Sequence, residues 1–286
     1  MKMRKKNHTR NTAPLSQADK TALITFFTAI ALFFISPWLG LLPLFFFLLC
    51  CLIAPFCPQW GFFLPVISRN SSANRCVALT FDDGPSPLST PLLLTLLNQF
   101  DYKATFFVVG EKVTCHPDLT SEIIAAGHGI GNHSYRHDNF LMLKSTKQLS
   151  KDIRDTQEAI AKIGIKPLLF RPPAGISNPR LKSILHHENL QTVSFSCRAW
   201  DRGNRNINNL AGRLMGKIRP GDIVLLHDIA PDKKEDLQIW IGEIEVFFRK
   251  LREKELQVVP LEQLTGMEVM TLTAGKDAQI KSGPDL

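Results

Sequence analysis

Charge is what this sequence lacks first. No Asp, Glu, Lys or Arg occurs from Thr21 to Ser68, a stretch dense in Phe, Leu and Ile. Its length excludes the apolar region of a signal peptide, which runs to about 7–15 residues. A soluble core has no need of so long an uncharged run. A bilayer span takes about 20 apolar residues, so 21–67 holds one span or two, with a break at Ser36-Pro37-Trp38-Leu39-Gly40. Transport is excluded as well, because ionisable residues mark a transport pathway and this stretch has none. Cysteine patterning is equally sparse. The six Cys form no C-x-x-C pair and no regular spacing, which excludes a zinc ribbon or a disulfide framework. There is no internal repeat.

Positive charge gathers ahead of the apolar stretch. Lys2, Arg4, Lys5, Lys6, Arg10 and Lys20 face only Asp19, which makes 1–20 a basic arm. The positive-inside rule puts that arm in the cytoplasm. The chain is then an integral protein of the cytoplasmic membrane with membrane lipids as partners. The rest of the +8 net charge is thinly spread, which argues against nucleic acid as a partner. One span would carry the remainder of the chain outside, whereas two would return it to the cytoplasm. Arg69 and Arg75, just past the apolar stretch, favour two.

Residues 68–75 are small and polar and read as a linker. From 76 to 265 buried strand patterns alternate with helical ones, and 266–286 reads as a polar tail. Strands are expected at Cys76–Phe81, Ala104–Val109, Leu168–Phe170, Thr192–Ser196 and Ile223–Leu226. Leu237, Trp240, Ile241, Ile244, Phe247, Phe248 and Leu251 form an amphipathic helical stripe. Such alternation implies an α/β fold with a parallel sheet, open or closed into a barrel.

The chemistry-bearing residues sit just after the expected strands. Thr80-Phe81-Asp82-Asp83-Gly84-Pro85 ends the first, and His133-Ser134-Tyr135-Arg136-His137 follows a short strand or turn at Gly129–Asn132. On a helical turn, the i, i+4 spacing would bring both imidazoles to one side. With one carboxylate they make a donor set that leaves positions open on a divalent metal. The second carboxylate remains free as a base, which points to hydrolysis by a metal-activated water. Arg171 and His227 also follow strands. In a β/α barrel, reactive groups lie at the carboxyl ends of strands.

These strings resemble the polysaccharide deacetylase family, the NodB-homology or family 4 carbohydrate esterases. Arg171-Pro172-Pro173-Ala174-Gly175 resembles its third motif and Leu225-Leu226-His227 its fifth, and the likeness runs from about Cys76 to Leu264. The resemblance implies a distorted, incomplete (β/α) barrel of about seven strands in a membrane-anchored bacterial member. It implies that Asp83, His133 and His137 hold a divalent metal, usually zinc. It further implies that Asp82 is the general base, that Arg171 pairs with Asp82, and that His227 is the general acid. Pro173, Ala174 and Trp200 would meet the substrate, an N-acetylated glycan, either free or lipid-linked.

Two departures bear on specificity. Ala174 stands where many members carry an aromatic residue, although its backbone N–H could still serve the oxyanion. The fourth motif reads Ser196-Cys197-Arg198-Ala199-Trp200-Asp201, with Ser196 and Ala199 at the two expected carboxylate positions. Asp201 could orient His227 instead, or be an ordinary loop acid. Trp200 either stacks on a sugar or fills core. The rival functions are a non-catalytic glycan-binding relative and an O-acetyl esterase.

Overall fold

The computed structural model describes residues 15–57 and 59–273. The basic arm up to residue 14 and the tail beyond 273 lie outside the described residues. Among the described residues there are eleven strands: β1 Val66–Ile67, β2 Cys76–Asp82, β3 Ala104–Val108, β4 Gly129–Asn132, β5 Ile165–Pro167, β6 Leu169–Phe170, β7 Gln191–Val193, β8 Cys197–Arg198, β9 Ile223–His227, β10 Gln257–Val258 and β11 Met270–Leu272. The helices are α1 Gln17–Phe33, α2 Pro37–Ile53, α3 Thr90–Gln99, α4 Gly110–Cys115, α5 Pro117–Ala125, α6 Thr146–Ala161, α7 Leu181–Glu188, α8 Leu210–Met215, α9 Asp236–Glu253 and α10 Leu261–Thr265.

The main sheet is parallel and curled, a half-barrel in the order β1-β7-β6-β4-β3-β2-β9-β8, with β10 added at the start of β2. Its central strands are buried on both faces, which is why β2 and β3 read as nearly unbroken apolar runs. Helices cover the outside. The apolar stripe of α9 buries Trp240, Ile244, Phe247, Phe248 and Leu251. A capping box between Ser145 and Gln148 fixes the start of α6.

The eight-strand path exceeds the expected seven because of β1, which lies inside the stretch read as membrane. Phe62, Phe63 and Leu64 are also buried, in one cluster with Leu149, Ile153 and Phe170. An apolar run without charge does not distinguish lipid from core, so the membrane-like part ends sooner than residue 67. The expected linker 68–75 is likewise fastened to the domain. Arg69 pairs with Asp222 at 2.7 Å, the Asn70 amide donates to the Gly221 carbonyl, and Arg75 pairs with Glu255. The start of the expected tail is ordered too, since β11 pairs antiparallel with β5 and Val269 is buried.

Helices α1 and α2 form a hairpin turned at Phe34–Ser36, where Pro37 starts the second helix as the sequence break predicts. Gly40 sits against Ala29 and Phe33, and a Cβ there would lie 3.1 Å from the Ala29 carbonyl. Small residues permit this approach. Among the described residues, one helix, Pro37–Phe56, is long and apolar enough to cross a membrane. Helix α1 is shorter and carries Asp19 and Lys20 in its first turn. Both free ends of the hairpin return to the domain. The Ala18 amide donates to the Phe62 carbonyl, and Cys50 and Ala54 join the Phe62 cluster.

Candidate active site

Parallel register brings the chemistry together at the carboxyl edge of the sheet. Asp82 is paired across β2 and β9 with His227, and each is the last residue of its strand. Asn132 is paired with Phe170, so the residues that follow them, His133 and Arg171, leave the sheet side by side. The strands stop here because the backbone turns. Asp83, Ser134, His137, Ala174 and Trp200 all have φ between 51° and 73°. Left-handed backbone costs a non-glycine residue free energy, and such residues concentrate at functional sites.

His133 and His137 do not share a helical turn. The chain after Asn132 is irregular, and left-handed Ser134 and His137 fold it back so that the ring centroids lie 5.0 Å apart. The i, i+4 spacing was therefore a sound clue to convergence with the wrong local geometry behind it.

Three donor atoms converge on one point. Asp83 Oδ1 lies 2.9 Å from His137 Nε2 and 3.3 Å from His133 Nε2. Yet this buried oxygen has no hydrogen bond of acceptable geometry. His133 Nδ1 is 2.7 Å from the Arg171 carbonyl, which only accepts, so Nδ1 carries a proton and Nε2 is the ring nitrogen turned toward Asp83, free to offer a lone pair once a cation is bound. An outer hydrogen bond of this kind orients a metal-binding imidazole. Burial raises the Asp83 carboxyl, but the two imidazoles outweigh it and hold the group well below its usual range. A close-set carboxylate and two imidazoles, with an oxygen left unsatisfied, fit a divalent cation.

Asp82 stands beside this set and is held differently. Arg171 Nη1 donates to Asp82 Oδ1 at 2.6 Å and to Thr80 Oγ1 at 2.8 Å. Its other donors reach the Ser194 carbonyl at 3.0 Å and the Val193 carbonyl at 3.3 Å. The guanidinium lies over the Phe107 ring, 4.0 Å from its centroid. The pair is buried, and its hydrogen-bond partners come from β2 (Thr80 and Asp82) and the end of β7 (Val193 and Ser194). The second Asp82 oxygen is 3.8 Å from His133 Nε2, outside the three-atom cluster.

On the opposite side of Asp82 in the sheet, His227 Nδ1 is 2.8 Å from Asp201 Oδ2. Burial pulls the imidazole down, but the Asp201 carboxylate more than compensates, and His227 is raised from 6.5 to about 9. The structure thus places Asp201 as the partner of His227, not as a free loop acid. At the altered fourth motif, Ser196 donates to Asp222 at 2.6 Å and Ala199 is buried.

Asp82, Asp83, His133, His137, Asp201 and His227 line one cavity of about 480 Å³, whereas Arg171 is buried and does not line it. Ala174 and Trp200 are on its wall, whereas Pro173 is buried and does not line it; its neighbour Pro172 does. Trp200 is 59% exposed, so it is not core. The Arg198 guanidinium covers one face of its ring at 3.3 Å. Sequence reasoning did not find Lys112, whose ammonium holds the Asp83 carbonyl at 2.6 Å. Nor did it find Asp228, which accepts from Ser89 and Thr90 at 2.6 Å while its amide donates to the Asp82 carbonyl. Asp228 directly follows the His227 motif, which was the available signal. Gly84 packs on it so tightly that a Cβ would lie 2.2 Å from Asp228 Oδ2.

Fold and site together define a hydrolase of the α/β class, built on a parallel half-barrel with a two-histidine, one-carboxylate site that fits a cation. Comparison with known proteins narrows this. A family described as polysaccharide deacetylase matches residues 69–193. A peptidoglycan-N-acetylglucosamine deacetylase of Bacillus cereus is 36% identical over 165 residues, 56% of this chain and 76% of that protein. The peptidoglycan-N-acetylmuramic acid deacetylase PdaC of Bacillus subtilis is 33% identical over 66% of this chain, which spans only 38% of that relative's length. Among solved structures, the Bc1960 peptidoglycan N-acetylglucosamine deacetylase superposes with a TM-score of 0.65 at 28% identity, covering 71% of this chain and 94% of that one. A CE4 family pseudoenzyme from Bacillus anthracis superposes at 0.62 with 26% identity, over 70% of this chain and 68% of that one. The chain belongs to the polysaccharide deacetylase family and is an enzyme of that class.

Proposed function

We propose that the protein removes N-acetyl groups from an amino-sugar glycan at the surface of the bacterial cytoplasmic membrane, into which the α1–α2 hairpin inserts. The observation that carries this is the division of labour in one cavity. Asp82 and His227 face each other in register, each with its own partner, beside a separate three-donor cluster.

Asp83, His133 and His137 would hold the cation, for which zinc suits the donor set, and when bound it would supply Lewis acidity. Asp82, with Oδ1 tied to Arg171, takes a proton from the attacking water. The backbone N–H of Ala174, on the cavity wall, receives the charge that develops on the acetyl oxygen. His227, kept protonated at neutral pH by Asp201, gives its proton to the departing nitrogen. The bond between acetyl carbon and nitrogen breaks, one water is consumed, and a free amine and acetate leave. Positioned acids and bases of this kind each contribute roughly 10²–10⁴-fold.

The test is amine release from N-acetylglucosamine oligomers by the full chain in detergent with zinc added. Release that requires both Asp82 and His227 supports the reading. Absence of release from any N-acetyl sugar with the cation bound would sink it in favour of a non-catalytic glycan binder.

A further inference from the structure

The active-site cavity does not end at Trp200. A second cleft of about 340 Å³ shares Phe195, Arg198 and Trp200 with it and continues over Ser196 and Lys217 to Cys57 and Gln59. A third hollow carries on from Gln59, Ser196 and Lys217 to Arg69 and Arg219. Gln59 is fixed there, its amide donating to the Phe195 carbonyl at 2.9 Å. Cys57 and Gln59 directly follow the apolar run Pro37–Phe56. The groove therefore leads from the reacting groups to the root of the hairpin.

Its charge is one-sided. Arg198 and Lys217 lie at the junction, with the Lys217 ammonium 3.5 Å from the Arg198 carbonyl, and Arg219 lies further out. Arg69 is neutralised by Asp222. Among the described residues that line the two outer hollows, none is a carboxylate. The inner cavity is mixed, with Asp82, Asp83, Asp201 and Asp232 beside Arg202 and Arg205. A neutral glycan gives this cationic stretch nothing to pair with. A phosphate does, since guanidinium and ammonium groups recognise phosphate oxygens.

We infer that the groove binds the phosphate or diphosphate of a lipid-linked amino sugar, with the N-acetyl group in the inner cavity, the phosphate at Arg198 and Lys217, and the lipid chain running toward the hairpin. This rests on the deacetylase reading and gives its substrate class. An extended wall polymer would enter from solvent, whereas this ligand would arrive along the membrane.

The experiment compares the full chain, zinc-loaded and in lipid vesicles, on three probes: N-acetylglucosamine linked by diphosphate to a polyprenol, the same sugar linked by diphosphate to uridine, and neutral chitotetraose. The expected result is a kcat/KM at least tenfold higher on the polyprenol substrate than on either other probe. In Lys217→Glu, the preference for the polyprenol substrate over chitotetraose should fall about tenfold, through KM and not kcat, with an unchanged melting temperature. Equal or better turnover of chitotetraose, or a preference unmoved by Lys217→Glu, overturns the groove assignment while leaving the deacetylase reading intact. Equal use of the uridine-linked sugar overturns the lipid as the source of the phosphate. No amine release from all three probes overturns the deacetylase reading itself.

Discussion

Replacing Asp201 by Asn keeps the shape of the His227 partner and removes its charge. His227 is largely buried, and burial alone lowers an imidazole; the Asp201 carboxylate 2.8 Å from Nδ1 is the foremost of the groups that raise it to about 9, with Asp83 and Asp82 adding to it. Without that charge the imidazole returns toward its ordinary 6.5 or below. Between about 6.5 and 9 the parent enzyme then keeps a proton on His227 that the variant has lost. At pH 8 the protonated fraction falls about 30-fold, while at pH 5.5 the two enzymes are nearly equal. The assay is kcat/KM for amine release from pH 5.5 to 9.5. The alkaline limb should move down by about 2.5 pH units in Asp201→Asn. A cation held by Asp83, His133 and His137 shifts both limbs together, so the displacement between the enzymes is the quantity to read. Stability should follow the same linkage. A folded-state value raised above 6.5 stabilises the parent fully below pH 6.5, and about 3 kcal/mol is lost as pH rises through 9, at 1.36 kcal/mol per unit. A uniform loss of activity across the pH range, with the limb unmoved, would refute the assignment of Asp201 as the group that keeps His227 protonated.

Other expectations follow from the same geometry. Asp82→Asn should lower kcat by roughly 10²–10⁴-fold yet leave bound zinc at one per chain by elemental analysis, whereas Asp83→Asn should lose the metal as well. Arg171→Met leaves the Asp82 carboxylate buried without a partner, so urea unfolding should show a loss of about 3–5 kcal/mol. Arg171→Lys should not restore full stability, because the Thr80, Ser194 and Val193 contacts need the guanidinium fork. Gly84→Ala forces its Cβ against Asp228 and should weaken zinc affinity measured by chelator competition. His227→Gln should abolish amide hydrolysis but spare part of the hydrolysis of an O-acetyl ester, whose leaving group needs less help; equal loss on both counts against the acid role. Reporter fusions ahead of Leu15 and after Thr273 should report the same side of the membrane, since both ends of the hairpin meet the domain.

The site was legible because its chemistry is local in sequence. Asp82-Asp83 and His133/His137 each occupy one short string at the end of a strand, and parallel register does the rest. Long apolar runs gave away β2, β3 and β9, and the stripe of α9 was plain. Two of the shortest strands, β1 and β11, left no such trace. Val66–Ile67 is hidden in an apolar stretch that composition alone assigns to lipid, and Met270–Leu272 is hidden in a polar tail. The turn between His133 and His137 depends on left-handed backbone at Ser134 and His137, residue types that carry no signal for it. Pro173 was placed on the substrate from its motif, but φ 54° at Ala174 turns the chain so that Ala174 and Pro172 face the cavity instead.

The fastening of residues 68–75 has a mechanical consequence. With Arg69 on Asp222, Asn70 on Gly221 and Val66–Ile67 in the sheet, there is no slack between the hairpin and the catalytic groups. An enzyme on a flexible tether can sweep through a volume of polymer. This one, with its hairpin embedded, would work at a single height and tilt, like a tool bolted to a bench. Its rate would then depend on how often substrate diffuses laterally past it, and lengthening the mount by inserting glycines after Ile67 would cost it the sheet edge before it gained any reach.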